Sequence, residues 1–301
     1  MTWPDTPDDP RERVALAAPV DASLVPGEAW FTQEAADALR ADIDALLDGR
    51  GGSYSVVVAG ADGYILYERD NEARYEAASF YKLAVLVEVF RQRQSGALSL
   101  DDVVLIEPVH LTESPGEIRQ LGHEFSIDIL LRQMITWSSN VAGWALLDLV
   151  GTGHVNRTLA GLGLSSTFIE QRPFASVVGH EPEIGDQPHL TSAADLARLF
   201  QLLLDGRVVS PEASAEMLDL LSQQSISNRL PAYLPWDAVV AHKTGNLSGM
   251  VHDAGVIFTP NGPVIVAVLT SGVYEWEAID VIARIGALVY HFGAPVAGPG
   301  N

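Results

Sequence analysis

The chain has 301 residues, 48% of them hydrophobic and 19% charged, which is a globular composition and not a disordered one. Its net charge of −21 repels phosphate backbones and argues against nucleic acid as a partner, and no apolar run approaches the roughly 18 residues of a membrane span. There is no cysteine, so disulfides, thiolate chemistry and Cys-based zinc sites are excluded.

Residues 1–27 are acidic and proline-rich and read as an extended lead-in. They lack the positive n-region and apolar core of a secretory signal, which leaves the compartment open: secreted if a leader has been removed, cytoplasmic otherwise. Thr32 then caps a helix in which Ala36, Leu39, Ile43, Leu46 and Leu47 recur at helical spacing, and Gly49 closes it. SYSVVVAG, ADG and YILYE follow as strand, tight turn and strand. From about Ala77 to residue 225 the pattern is helical throughout. Past Pro231 the strands return as AVVAHKT, HDAGVIFTP and PVIVAVLTSG, with TPNGP turning the last two into a hairpin. An amphipathic helix from about Trp276 to Tyr290 closes the chain.

The expected fold is therefore α+β: an antiparallel sheet of about five strands, two early and three late, flanked by N- and C-terminal helices, plus an all-helical lobe. The boundaries read as one domain over 28–301, with an α/β lobe at 28–76 and 230–295 and a helical lobe at 77–229. A cleft is expected where the lobes meet.

Of the 18 basic residues only two are lysines. What lysine offers and arginine lacks is a compact ammonium that can lose its proton when desolvated. Lys82 stands in Ser79-Phe80-Tyr81-Lys82 at the start of an apolar helix, so it shares a face with Ser79, one turn away. A serine is a poor nucleophile until a neighbouring base takes its proton. The second lysine stands in Lys243-Thr244-Gly245 at the end of a strand, where a cation beside a hydroxyl suits a carboxylate. Gly245 removes the bulk that would stop a substrate backbone lying along the strand edge. Ser138-Ser139-Asn140 sits between two apolar helical stretches and offers a hydroxyl and an amide two residues apart. Each motif alone is a helix cap or a strand end.

Together, and in this order, Ser-x-x-Lys, Ser-x-Asn and Lys-Thr-Gly make the chain resemble the class A β-lactamases and their penicillin-binding relatives, over about residues 30–292. The resemblance implies the following roles. Ser79 becomes acylated, Lys82 acts as or assists the base, and Ser138 relays a proton to the leaving nitrogen. Asn140 holds the substrate amide. Lys243 and Thr244 bind the substrate carboxylate, with Arg229 as a further carboxylate ligand. The backbone N–H groups of Ser79 and Asn246 form the oxyanion hole beside Gly245. It also implies a hydrolase tied to antibiotic resistance, acting on a small-molecule β-lactam or acyl-peptide, with no cofactor or metal, as an expected monomer.

The family's loop glutamate, which activates the deacylating water, falls by count near Phe174 to Ser176, where there is none. Glu170 lies just before, and Glu181-Pro182-Glu183-Ile184 resembles the family's Glu-Pro-Glu-Leu at a shift of about six residues, which makes Glu181 the candidate. Ser139 stands where aspartate is usual. These departures keep three outcomes open: β-lactam hydrolysis, a D-Ala-D-Ala-type peptidase or esterase, and a penicillin-binding protein with impaired deacylation. The eight histidines form no ligand cluster, and Gly-Thr-Gly at 151–153 reads as a helix C-cap and not a phosphate loop.

Overall fold

The computed structural model describes residues 31–110, 122–170 and 189–292. The chain divides into a segment Met1–Thr32 and a unit Gln33–Asn301, which holds every helix and strand described below.

Helix α1 (Gln33–Leu47) buries Ala36, Leu39, Ile43 and Leu47, the stripe its periodicity predicts. Strands β1 (Ser53–Gly60) and β2 (Ile65–Arg69) form the early hairpin. β1 is buried at every residue after Ser53, which explains an apolar run in place of alternation: both its faces are covered. A two-residue strand β3 (Tyr75–Glu76) and a 3-10 turn (Ala78–Phe80) lead into α2 (Tyr81–Gln94), buried without a break from Tyr81 to Phe90. There follow β4 (Val103–Leu105), β5 (Glu124–Ser126), α3 (Ile127–Thr136), α4 (Asn140–Val150) and α5 (Thr152–Gly161). Next come β6 (Leu190–Thr191), α6 (Ala193–Leu204) and α7 (Pro211–Ser222). Strands β7 (Val239–Leu247), β8 (Met250–Thr259) and β9 (Gly262–Ser271) precede α8 (Glu275–Phe292).

The five long strands make one antiparallel sheet in the order β2-β1-β9-β8-β7. The late hairpin thus completes the early one, as expected, and β2 and β7 are left as the edge strands. Helices α1 and α8 pack together over β2, β8 and β9, while α6 lies against β1, β8 and β9. α8 approaches closely because Gly286 has no side chain: a Cβ there would overlap the Leu230 carbonyl oxygen. The intervening block is not purely helical. β3 pairs with β6, and β4 pairs with β5, as two short ladders. Strands of two or three residues are too short to show a period-two pattern, so the sequence conceals them. No helix among the described residues is long and apolar enough to cross a membrane.

Candidate active site

Ser79 lies in the 3-10 turn just before α2, and Lys82 lies in the first turn of that helix, fully buried. The Nζ of Lys82 is 3.1 Å from Ser79 Oγ. The same Nζ is 3.1 Å from Ser138 Oγ and 2.7 Å from Asn140 Oδ1, and it also contacts the Ser138 carbonyl oxygen. An ammonium carries three protons, so four oxygens oversubscribe it. The carbonyl and the amide oxygen only accept, whereas the two hydroxyls can also donate. A neutral amine serves three of them, donating to the two acceptors and accepting the Ser79 hydroxyl proton, while the Ser138 hydroxyl takes its hydrogen bond from Lys243.

Ser138 sits at the turn between α3 and α4 with φ +58°, a left-handed conformation that costs energy in any non-glycine residue. That conformation turns both its hydroxyl and its carbonyl onto Lys82. Ser139 supplies the N-cap of α4, accepting the Ala142 N–H at 3.2 Å, and Asn140 is that helix's first residue. Ala78, directly before the nucleophile, is also left-handed at φ +46°. Ser79 itself is only partly buried, so the hydroxyl is reachable.

Lys243 reaches the cluster from the sheet. Fully buried on β7, it donates to Ser138 Oγ at 2.9 Å and to the Thr244 carbonyl at 3.2 Å. The Ser138 hydroxyl therefore bridges the chain's two lysines. Burial pushes the Lys243 amine well below its ordinary range; the nearby Lys82 and Arg229 add to this, and Asp253 opposes it. Gly245 lets β7 close onto the nucleophile's turn, since a Cβ there would stand 3.1 Å from Ala78 Cβ.

Arg229 is buried, and its guanidinium faces protein. Nη1 donates to the Gly245 carbonyl at 3.1 Å and to the His252 carbonyl at 2.6 Å, and Nη2 bonds the Asn246 side-chain oxygen. Asn246 in turn donates through Nδ2 to Glu275 at 3.1 Å. Arg229 thus supports the end of β7 directly. His242 points away from Lys243, as successive strand residues must, and pairs with buried Asp253 at 2.8 Å.

Three supporting groups went unread in the sequence. His252 on β8 is fully buried and stacks on Phe80, with centroids 5.9 Å apart and planes 11° apart. Its Nδ1 accepts the Thr270 N–H and its Nε2 donates to the Glu76 carbonyl, each at 3.1 Å, so the ring is the neutral Nε2–H tautomer. Burial lowers its pKa to about 4. Tyr81 stacks on Trp144 at 5.0 Å and packs on His189 at 5.0 Å. Gly143 on α4 leaves room for both Tyr81 and Lys82. Nothing in the local pattern marks these residues; a polar ring within an apolar strand is the only trace left by His252.

Glu181, Glu183 and the stretch Phe174 to Ser176 lie outside the described residues. Glu170 is described, and its backbone N–H donates to His189 Nδ1 at 3.0 Å.

Comparison with known proteins shows the family and the fold. A family model described as the beta-lactamase enzyme family matches residues 38–292. The extended-spectrum beta-lactamase PER-1 of Pseudomonas aeruginosa is 25% identical over 300 residues, covering 93% of this chain and 96% of its own. The crystal structure of a beta-lactamase from Sphaerobacter thermophilus superposes with a TM-score of 0.76 at 26% identity, covering 90% of this chain and all of that one. A mutant of PBP-A, solved as an acyl-enzyme complex with penicillin G, shares the fold at a TM-score of 0.75 and 24% identity, covering 85% of this chain and 96% of its own.

Proposed function

Because the chain belongs to the beta-lactamase enzyme family, we propose that it hydrolyses β-lactams through an acyl-serine intermediate on Ser79. The observation that carries this is the amine of Lys82 held 3.1 Å from Ser79 Oγ, with Ser138 Oγ bridging it to Lys243.

Neutral Lys82 takes the Ser79 proton as the oxygen attacks the lactam carbonyl. The new C–O bond forms, and charge builds on the carbonyl oxygen, where the backbone N–H groups of Ser79 and Asn246 receive it. The C–N bond then breaks. Ser138 gives its proton to the nitrogen and regains one from Lys82, with Lys243 holding its oxygen in place. Lys243 and Thr244 bind the substrate carboxylate at the end of β7, and Asn140 flanks the substrate amide while it fixes Lys82. Arg229 acts one step back, by fixing Gly245 and Asn246. Glu181 is the candidate base for the deacylating water, a step to which a positioned base contributes about 10² to 10⁴ in rate.

The test is a pair of measurements on the full chain. Fluorescent penicillin should label the native protein and not Ser79→Ala. Nitrocefin should be turned over by the native chain, and Glu181→Gln should label but release product slowly. Labelling of the native chain without turnover would refute hydrolysis and leave a penicillin-binding or D-Ala-D-Ala-peptidase reading, which the missing glutamate at 174–176 favours.

A further inference from the structure

Beyond the cluster around Ser79, the described surface carries an aromatic pair that the mechanism does not use. Tyr274 and Trp276 are 74% and 70% exposed, and their rings lie nearly parallel, 12° apart in plane with centroids 6.4 Å apart. They bracket Glu275, the first residue of α8. Two exposed rings side by side offer faces on which a flat group can stack.

The charges around this pair are unevenly matched. Glu277 is paired with Arg50 at 3.0 Å, and Asp280 with Arg284 at 2.7 Å. Glu275 meets a neutral amide, Asn246 Nδ2, and Arg229, on the far side of that amide, is buried and already bonded to Asn246 and to two carbonyls. Two exposed π-faces and a carboxylate bonded to a neutral amide thus share three successive residues, a combination of groups that attracts a cation.

Its place relative to the chemistry follows from the same contact. Asn246 is the residue whose backbone N–H was assigned to the oxyanion hole, and the preceding Gly245 abuts Ala78. In a cephalosporin the ring carboxylate and the C3 substituent stand on neighbouring carbons. A carboxylate held by Lys243 and Thr244 therefore keeps the C3 group near the end of β7, where Asn246 meets Glu275 at the start of α8.

We propose that Tyr274, Glu275 and Trp276 form a subsite for a flat cationic substituent, such as a pyridinium or other aryl ammonium group, on the substrate beside its carboxylate. This rests on the β-lactam reading above. Each exposed ring contributes about two- to five-fold in affinity for a cation.

The test compares three cephalosporins with one acyl side chain and either a pyridiniomethyl, an acetoxymethyl or a neutral phenylthiomethyl group at C3. The readout is the ratio of kcat/KM values, cationic over each neutral analogue. In Trp276→Ala and in Tyr274→Ala this ratio should fall about two- to five-fold from the native value. Glu275→Gln should lower it as well, because glutamine keeps the acceptor for Asn246 and removes only the charge. Trp236→Ala, a 96% exposed ring outside the subsite, should keep the native ratio. A ratio unmoved by all three subsite variants, or lowered equally by Trp236→Ala, overturns the subsite. A fall in turnover of the phenylthio analogue equal to that of the pyridinium overturns its charge preference. If no cephalosporin is turned over, the β-lactam reading fails separately. N-methylpyridinium should still give saturable shifts of the Trp276 ring resonances that vanish in Glu275→Gln, and their absence in the native chain would overturn the subsite.

Discussion

Gly143→Ala adds one carbon at the most crowded point behind the nucleophile. That Cβ would overlap the Tyr81 hydroxyl and stand 3.2 Å from Tyr81 Cζ and 3.1 Å from Lys82 Cε. Normal contact distances require the ring to retreat by about 1 Å. Tyr81 is buried and flanked by Trp144 and His189, each 5.0 Å away, so the strain passes to α4 and to the Lys82 stem. Overpacking of this kind costs about 1–3 kcal/mol, against which better helix propensity returns at most about 1 kcal/mol. With that return in full the net cost is up to about 2 kcal/mol, and at roughly 2–4 °C per kcal/mol for a chain of this size Tm should fall by up to about 8 °C. Movement of the Lys82 amine by a few tenths of an ångström should slow acylation about ten-fold, because 1 Å of misplacement costs about 10². Scanning fluorimetry and time-resolved labelling by fluorescent penicillin read the two effects. Gly153→Ala on α5, where the nearest atom lies 3.7 Å from the new carbon, is the control and should be neutral or slightly stabilising. A Gly143→Ala protein with native Tm and native labelling rate would refute the packing argument.

Lys243→Arg keeps a cation but forces a larger, permanently charged group into a fully buried site. Penicillin labelling should slow at least ten-fold, on the order of the loss of one positioned polar group, and native kinetics in this variant would count against the role given to Lys243. Arg229→Lys leaves buried carbonyls of Gly245 and His252 short of donors, so denaturant unfolding should show a loss of about 1–3 kcal/mol; an unchanged midpoint would show that the clamp is dispensable. Burial holds His252 neutral in the folded chain down to about pH 4, while the unfolded chain takes up its proton near pH 6.5. Its contribution is complete above pH 6.5 and falls by about 1.4 kcal/mol for each pH unit below that, until the folded ring itself protonates. The slope of unfolding free energy between pH 6.5 and 4 should therefore be shallower in His252→Gln than in the native protein, and equal slopes would contradict the buried neutral ring.

The early and late strands were legible as short apolar runs bounded by turn residues, and the flanking helices by apolar residues at a period of 3.6; such patterns are local. The short ladders β3–β6 and β4–β5 were not, because they are too brief to carry a period and draw their order from distant partners. In the site, the scarcity of lysine pointed to Lys82 and Lys243, and helical spacing alone put Lys82 beside Ser79.

What no local reading supplies is the meeting of Ser138 with both amines, since three separate elements must converge to place one hydroxyl 3.1 Å and 2.9 Å from them. The same holds for Arg229, which the family resemblance offered as a substrate ligand and whose Nη1 and Nη2 the fold brings onto Gly245, His252 and Asn246. The sequence by itself determined which chemical groups this protein owns and which of them are neighbours along one element. Only the tertiary structure decided which groups face one another and which are desolvated, because burial and hydrogen-bond geometry belong to the packed interior and not to any stretch of chain.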